Sequence, residues 1–138
     1  MNVKILFVTL IIALMIVACG SKDEKSDPVV LDGTGWTLVT LNGQAPLSGT
    51  TITAAFSEGE VTGQSGCNSY FGPYTLDGNA LQFDMIGMTE MACLEPEGLM
   101  DQEMAYLGAL QAVAEARLVD GQLEMLDDSG AVILRFKP

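Results

Sequence analysis

The chain has 138 residues, the length of one domain, and carries 18 acidic against six basic residues, a formal net charge of −12. A surface with this charge is repelled by nucleic-acid phosphates and by anionic lipid head groups, so nucleic acid is not an expected partner. The chain also contains no histidine, which removes the commonest general base, the usual metal ligand and every Ser/His or Cys/His catalytic pair. We therefore expect no catalytic residues, no metal and no cofactor; paired carboxylates are the remaining route to an enzyme.

The first 18 residues are typical of an export signal. One cation, Lys4, precedes a run over residues 5–18 that is apolar except for Thr9. As a helix this run would be about 21 Å long, shorter than the hydrocarbon core of roughly 30 Å that a permanent span must cross. The run ends in Ile16-Val17-Ala18-Cys19, which resembles the lipobox of bacterial lipoproteins. The resemblance implies a signal peptide over residues 1–18 and acylation of Cys19; an ordinary secretory signal with an incidental cysteine is the alternative.

Residues 19–31 are predicted to form a flexible tether, because "GSKDEKSDPVV" is polar, charged and interrupted by proline. Loss of the signal removes Lys4 and leaves five cations against 18 acids, a net charge of −13. Such a charge contributes nothing to membrane binding, so attachment must rest on the acyl chains, of which two or more hold stably where one does not. We expect a membrane-anchored lipoprotein that faces the periplasm or the cell exterior, with a folded domain over residues 32–138.

From Trp36 onward the sequence has the short alternating runs of an antiparallel sheet. "WTLVTL", "TITAAF" and "ALQFDMI" are followed near the C-terminus by "LEML" and "VILRF". The pairs Asn42-Gly43, Asp77-Gly78 and Asp120-Gly121 lie between runs, where turns need a positive φ. About seven strands of this length predict a mainly β, or α+β, fold: a curled antiparallel sheet or a small barrel.

One segment, residues 97–116, has a helical period instead. Its apolar side chains fall on one face at about 100° per residue, and they are Leu99, Tyr106, Leu107, Leu110, Val113 and Ala114. A helix that lies on a membrane surface would need basic residues on its polar face, and this face carries acidic ones. We therefore predict one amphipathic helix that packs on the sheet.

Two cysteines remain once Cys19 is assigned to the signal. Cys67 and Cys93 form an even pair, and in an exported protein such a pair predicts a disulfide. The bond would close a loop of about 27 residues. The alternative is a reactive thiol, although neither cysteine has a nearby Lys or Arg to lower its pKa.

Three motifs follow one another through the folded part. They are Gly66-Cys67-Asn68, Thr89-x-Met91-x-Cys93 and Glu103-x-x-Tyr106-Leu107, with Trp36 near the domain start and "LEMLDDSGAVILRF" at its end. Their order and spacing resemble the META domain of heat-shock HslJ-type bacterial proteins over residues 36–136. One position departs from the pattern, because Leu94 stands where the family often has proline.

The resemblance implies a small exported or lipid-anchored protein built from an antiparallel sheet and one helix. HslJ-type members are linked to heat shock and novobiocin resistance, and no catalytic residues carry over. A fold similarity between the family and secretin-pilot lipoproteins adds a partner-binding hypothesis, which rests on analogy of fold alone.

The glycine-rich stretch over residues 63–79, "GQSGCNSYFGPYTLDGN", is interpreted as a structural knot rather than a binding site. Gly66 supplies backbone freedom, Cys67 ties the stretch to the segment before the helix, and Asn68 bonds within its own turn. The aromatic residues of the stretch are expected to make apolar contacts while their phenol groups reach water; they are Tyr70, Phe71 and Tyr74.

Glu103 is the one residue that departs from the helix's apolar face. A charge at this position is costly unless it is paired or protonated. We predict that its carboxylate accepts hydrogen bonds from the backbone of residues 66–68 or from a hydroxyl such as that of Thr89, which would fix helix to loop. A functional acid in a pocket is the alternative.

Methionine is dense in this chain, and core filling or an adaptable partner surface could each explain it; the residues are Met85, Met88, Met91, Met100, Met104 and Met125. The sequence predicts a non-enzymatic envelope protein that acts in stress tolerance or as an interaction module. The alternative is a binder of a small apolar ligand inside the sheet. A cavity lined by "ALQF" and "VILRF" would favour the binder, and a filled interior with exposed methionines would favour the module.

Overall fold

The computed structural model describes residues 28–138, so the predicted signal peptide, Cys19 and most of the predicted tether lie outside the described residues. Within that part of the chain there are nine β-strands and one α-helix. In chain order they are β1 (Thr34–Leu41), β2 (Thr53–Ser57), β3 (Glu60–Gln64), β4 (Ser69–Asp77), β5 (Ala80–Phe83), β6 (Gly87–Met88), α1 (Leu99–Ala112), β7 (Glu115–Val119), β8 (Gln122–Leu126) and β9 (Val132–Lys137).

The strands form a single antiparallel sheet that closes on itself. Their order is β3-β2-β1-β9-β8-β7-β5-β4-β6, and β3 also pairs with β4, so that eight strands complete a ring and β6 lies outside it. The narrowest junction is between β5 and β7, where Ala80 pairs with Glu115. The predicted curled antiparallel sheet with one packed helix is confirmed.

The strand count exceeds the expected seven because the glycine-rich stretch and the end of the predicted helical segment also contribute strands. Ser69–Asp77 forms β4, in which buried and exposed positions alternate. Its partners are β3 on one side and β5 and β6 on the other. The glycines hid this alternation, since they carry no side chain to mark a face.

The helix is shorter than the predicted segment 97–116. It begins after Gly98, which has a φ of 83°, and ends at Ala112, because Val113 is extended with φ −63° and ψ 133°. The following residues pair with β8 as strand β7. The prediction was wrong at this end because cross-strand pairing overrides the helix propensity of the alanine-rich sequence.

The folded part begins earlier than the predicted boundary at residue 32. Val29 and Leu31 are 4% and 1% exposed and belong to the core. The backbone N–H of Val29 also donates to Asn79 Oδ1 at 3.2 Å. These three residues show that the chain is already packed against the sheet before Asp32.

Side chains fill the interior of the ring. Tyr106 of α1 lies between Tyr70 and Phe136, with ring centroids 5.5 and 6.5 Å apart. The largest fully buried side chains around them are Phe56, Leu31, Ile52, Leu81, Leu110, Leu123, Met125 and Leu134. Residues 28–138 include no helix long and apolar enough to cross a membrane.

Two of the few cations in the described chain are paired with one carboxylate. Glu124 on β8 lies between Arg117 on β7 and Arg135 on β9, at 2.8 and 2.7 Å. Burial raises the pKa of Glu124, but the hydrogen bonds and charges of the two arginines lower it more, so its pKa lies below the ordinary value.

Candidate functional site

Glu103 is fully buried on α1, where its carboxylate accepts four hydrogen bonds from the loop between β3 and β4. Oε2 accepts the Ser65 hydroxyl at 2.7 Å and the backbone N–H groups of Cys67 and Asn68 at 3.1 and 2.7 Å. Oε1 accepts the Asn68 side-chain amide at 2.6 Å. A loop that contributes four donors to one carboxylate holds the helix in a fixed position.

Asn68 extends this network to the segment before the helix. Its amide nitrogen donates to Met91 O as well as to Glu103, and its Oδ1 accepts the Met91 N–H at 2.7 Å and the Thr89 hydroxyl at 2.8 Å. Both donors and both lone pairs of the amide are therefore used. One side chain joins the loop, the helix and the segment over residues 89–91.

The disulfide predicted for Cys67 and Cys93 is present, with the two Cα atoms 5.9 Å apart. Beside it, Gly66 has a φ of 121°, a conformation that other residues rarely adopt, and a Cβ there would lie 2.8 Å from Leu99 Cδ1. The covalent bond and the glycine therefore keep the loop close to the start of α1.

The structure brings most of the predicted motif residues together, with two differences in their contacts. Gly66, Cys67, Asn68, Thr89 and Glu103 form one cluster. Thr89 bonds to Asn68 and not to Glu103, and the donors from the loop backbone are Cys67 and Asn68. The hydroxyl that bonds Glu103 belongs to Ser65, which sequence reasoning missed because a serine among glycines carries no periodic signal.

Trp36 lies apart from this cluster, on β1. Its indole N–H donates to Thr34 Oγ1 at 2.7 Å, and its ring packs against the edge of the core. Its role is to complete the packing of the sheet.

The aromatic residues of the glycine-rich stretch differ from expectation. The phenol of Tyr70 is buried, where its OH donates to Thr53 O at 2.8 Å and lies 2.7 Å from Tyr106 OH. Burial raises the pKa of both tyrosines. The prediction that these phenols reach water was wrong for Tyr70, because β4 turns this position into the ring, while Phe71 is exposed on its outer surface.

Most of the exposed large apolar side chains lie on one part of the described chain. Eight large apolar side chains are exposed in residues 28–138, and five of them lie on β4, on the segment after β5 and on the adjoining turn of α1. We call these five the methionine surface: Phe71, Met85, Met91, Leu94 and Met104. Met125, by contrast, is fully buried, so the methionines serve both the core and the surface.

In residues 28–138 no group of three or more acidic or cysteine side chains is placed to hold a metal ion. An open groove lies over the outer face of β2, β3 and β4, lined by residues such as Thr62, Gln64 and Phe71. It is a surface feature and does not enter the filled interior.

The comparisons with known proteins agree with this fold. Residues 29–138 match the family model of the META domain. The chain belongs to the META domain family. Its fold is shared by an NMR structure of a protein from Burkholderia xenovorans, which is 32% identical with a TM-score of 0.62 and aligns over 78% of this chain and 82% of that one. A second NMR structure has 23% identity and a TM-score of 0.62, over 78% of this chain and 90% of the other. No curated protein matches the sequence significantly.

The buried glutamate of this META domain is held in its charged form. Burial raises the pKa of Glu103. The hydrogen bonds from Asn68, Ser65 and Cys67 together lower this pKa by more than burial raises it, so it lies below the ordinary value. A carboxylate that stays ionised, and whose surroundings supply only donors, is suited to holding structure and not to donating a proton.

Acid should therefore destabilise this META domain. The pKa values of Glu103 and Glu124 are lowered on folding, so their contribution to stability is present above the ordinary glutamate pKa of about 4.3 and is lost as pH falls through the folded values. We expect a flat free energy of unfolding from pH 7 to about 5 and a decline below. Urea titrations at each pH measure this, and Glu124→Gln should show a shallower decline. Stability that increases on acidification would contradict it.

The close approach of the Thr53 carbonyl to Gly63 leads to a second prediction for the META fold. A Cβ on Gly63 would lie 2.0 Å from Thr53 O, so Gly63→Ala should lower the free energy of unfolding by about 2 kcal/mol through overpacking. The matched control is Gly35→Ala on β1, whose Cβ would meet nothing within 4 Å. Urea unfolding compares the two, and equal stabilities would show that the strands separate at no cost.

Proposed function

We propose that this META domain is a non-enzymatic interaction module, tethered to a membrane through acylated Cys19 and binding another component of the cell envelope. The observation that carries the proposal is the contrast between a ring filled by aromatic and aliphatic side chains and an outer surface where Met85 and Leu94 are 87% and 86% exposed. Exposed apolar groups that are concentrated in one place mark interaction sites.

The competing function, binding of an apolar ligand within the sheet, is less favoured because buried side chains occupy the interior. Ligand sites are cavities or clefts that enclose most of their ligand. Leu81 and Phe83 of "ALQF", and Leu134 and Phe136 of "VILRF", are themselves buried in the core. A ligand would have to displace them.

An acid–base role for Glu103 also lacks support. Its carboxylate has no accessible surface, and both oxygens are engaged by the loop. A substrate could reach it only if the network between loop and helix opened. The absence of histidine removes the usual partner for such a group.

The predicted anchor limits where a partner can be. Eight residues, 20–27, separate Cys19 from the described chain. A segment of that length reaches at most about 30 Å, so the domain would remain next to the membrane that holds it. A partner at the membrane surface is therefore favoured, and envelope stress tolerance, to which the family resemblance points, is the context we propose for it.

Cross-linking in cells tests the proposal. The tethered protein and a Cys19→Ala variant are expressed at equal levels, cross-linked, captured and compared by mass spectrometry. The expected result is a reproducible envelope protein that is captured only by the acylated form. Capture of background proteins alone, together with a retained apolar small molecule, would overturn the proposal and favour the ligand binder.

A further inference from the structure

Building on the proposed interaction module, we infer that the methionine surface binds a cationic amphipathic segment of a partner protein. Such a segment has apolar side chains on one face and Lys or Arg on its flanks.

The residues of the methionine surface lie on elements that contact one another. Phe71 on β4 pairs with Gly87 of β6, and its ring covers that glycine, since a Cβ there would lie 2.9 Å from Phe71 Cζ. Asn68 holds both backbone groups of Met91. The Cys93 N–H contacts Met100 Sδ at 3.5 Å, one helical turn before Met104. The surface therefore runs from β4 along residues 85–94 to α1.

Exposed carboxylates lie on the same segments as these apolar residues. The exposed acids on the same segments are Asp84, Glu90, Glu95, Glu97 and Asp101. The sequence contains no Lys or Arg between residues 26 and 116, so no cation on these elements neutralises them. Arg117 and Arg135, which lie on β7 and β9, are already bonded to Glu124.

The methionine surface and the exposed carboxylates beside it, here called its negative rim, together exclude several possible partners. An anionic membrane surface is repelled by the rim, and so is a second copy of this chain, which carries the same charge. The chain's own residues 19–27 contain two lysines against three acids and no aliphatic or aromatic side chain, so they lack both features. A basic segment with an apolar face complements both the negative rim and the apolar side chains of the methionine surface.

The surface is also held ready for binding. The disulfide from Cys67 to Cys93 and the Asn68 clamp on Met91 anchor the segment at two points. Ordering this segment therefore costs little when a partner binds. Methionine side chains remain adaptable, which suits an apolar face of variable shape.

Binding of a synthetic probe tests the inference. The probe is a fluorescent Leu/Lys amphipathic peptide of roughly five helical turns, and its controls replace every Lys by Glu or every Leu by Ser. Anisotropy titrations use the chain from residue 19 onward with Cys19→Ser. We expect the Leu/Lys peptide to bind and both controls to bind at least about tenfold more weakly, because each lacks one half of the complement.

Paired variants locate the site. Glu90→Lys with Glu95→Lys should weaken binding about tenfold. Glu115→Lys with Asp128→Lys makes the same change in net charge at β7 and the β8–β9 turn and should weaken it less than about twofold because of salt screening. Met85→Ser with Leu94→Ser should also cost about tenfold, whereas Val30→Ser with Leu118→Ser, exposed apolar residues elsewhere, should not.

Three results would overturn the inference. If the charge reversals at residues 90 and 95 and those at residues 115 and 128 weakened binding equally, binding would depend on net charge alone and not on this surface. Equal binding of the Glu-containing peptide would remove the cationic requirement. Binding of phosphatidylcholine or phosphatidylglycerol vesicles that depends on Met85 and Leu94 would make the occupant a lipid surface. If the tether-dependent partner is still captured in cells in any of these cases, the interaction module stands and only the identity of its occupant is wrong.

Discussion

Glu103→Ala should lower the free energy of unfolding by about 4 kcal/mol. The substitution removes the acceptor for the Ser65 hydroxyl, two backbone N–H groups and the Asn68 amide, all buried in the folded state. Each buried donor left without a partner carries a penalty of about 1 to 3 kcal/mol, partly relieved when water enters or the loop relaxes. Domains of this size have a total stability of about 5 to 15 kcal/mol, so the loss is a large fraction of it.

Urea unfolding followed by circular dichroism measures this loss. Asp101→Ala is the matched control, because it removes an exposed acid from the first turn of the same helix and should cost less than about 1 kcal/mol. Glu103→Gln should fall between the two, since the amide keeps an acceptor but faces the loop donors with a second donor. If Glu103→Gln left the melting temperature unchanged and abolished partner capture, the residue would be functional and the structural account would fail.

Loss of the disulfide should cost nearly as much. Cys67→Ser with Cys93→Ser opens a bridge between residues 26 apart in sequence, and the chain-entropy relation gives about 3 to 4 kcal/mol for a loop of this size. The double variant should retain the Glu103 network, because that network uses the Cys67 backbone N–H and not its sulfur. We therefore expect a folded, native-like protein with a lower urea midpoint and an unchanged slope.

The control for this comparison is Cys19→Ser, which should leave the urea midpoint unchanged because Cys19 precedes the domain. Thiol labelling of the unreduced, exported protein should count no free thiol at positions 67 and 93. Two labelled cysteines at these positions would restore the reactive-thiol alternative and remove the disulfide from the account.

The helix-to-loop contact could be predicted because a carboxylate on an apolar helical face requires donors nearby. Cys67, Asn68 and Glu103 were therefore assigned to one cluster from sequence. The contribution of Ser65 could not be, since short polar residues in a glycine-rich stretch have no periodicity that reports their direction. Whether Thr89 or Ser65 reaches the Glu103 carboxylate depends on the orientation of the Asn68 side chain. Tertiary contacts with residues 89–91 set that orientation.

The sheet was predicted where side chains alternate and missed where glycines replace them. Gly63 and Gly72 lie in β3 and β4, where close approach of Thr53 O and Met85 O leaves no room for a Cβ. Sequence records such a contact only as a missing side chain. The end of α1 was missed for a related reason, because the alanine-rich residues 114–116 suit a helix locally and become strand only through pairing with β8.

The location of the methionines was beyond sequence reasoning as well. Met85 and Met125 both lie in runs that were predicted to be strands, "ALQFDMI" and "LEML", yet one is 87% exposed and the other fully buried. The difference arises because Met125 lies within β8, while Met85 lies between β5 and β6, outside any strand. Exposure at Met85, Met91 and Leu94 therefore follows from the path of one connection, which local patterns do not encode.

The central functional claim is that a partner binds on the methionine surface and not inside or elsewhere on the ring. Site-specific photo-cross-linking in cells tests it most directly, with a photo-reactive amino acid placed at Leu94 on the surface or at Leu118, an exposed apolar position on β7. We expect a discrete adduct with one envelope protein from position 94 and none from position 118. An adduct from position 118 alone, or equal adducts from both positions, would contradict it.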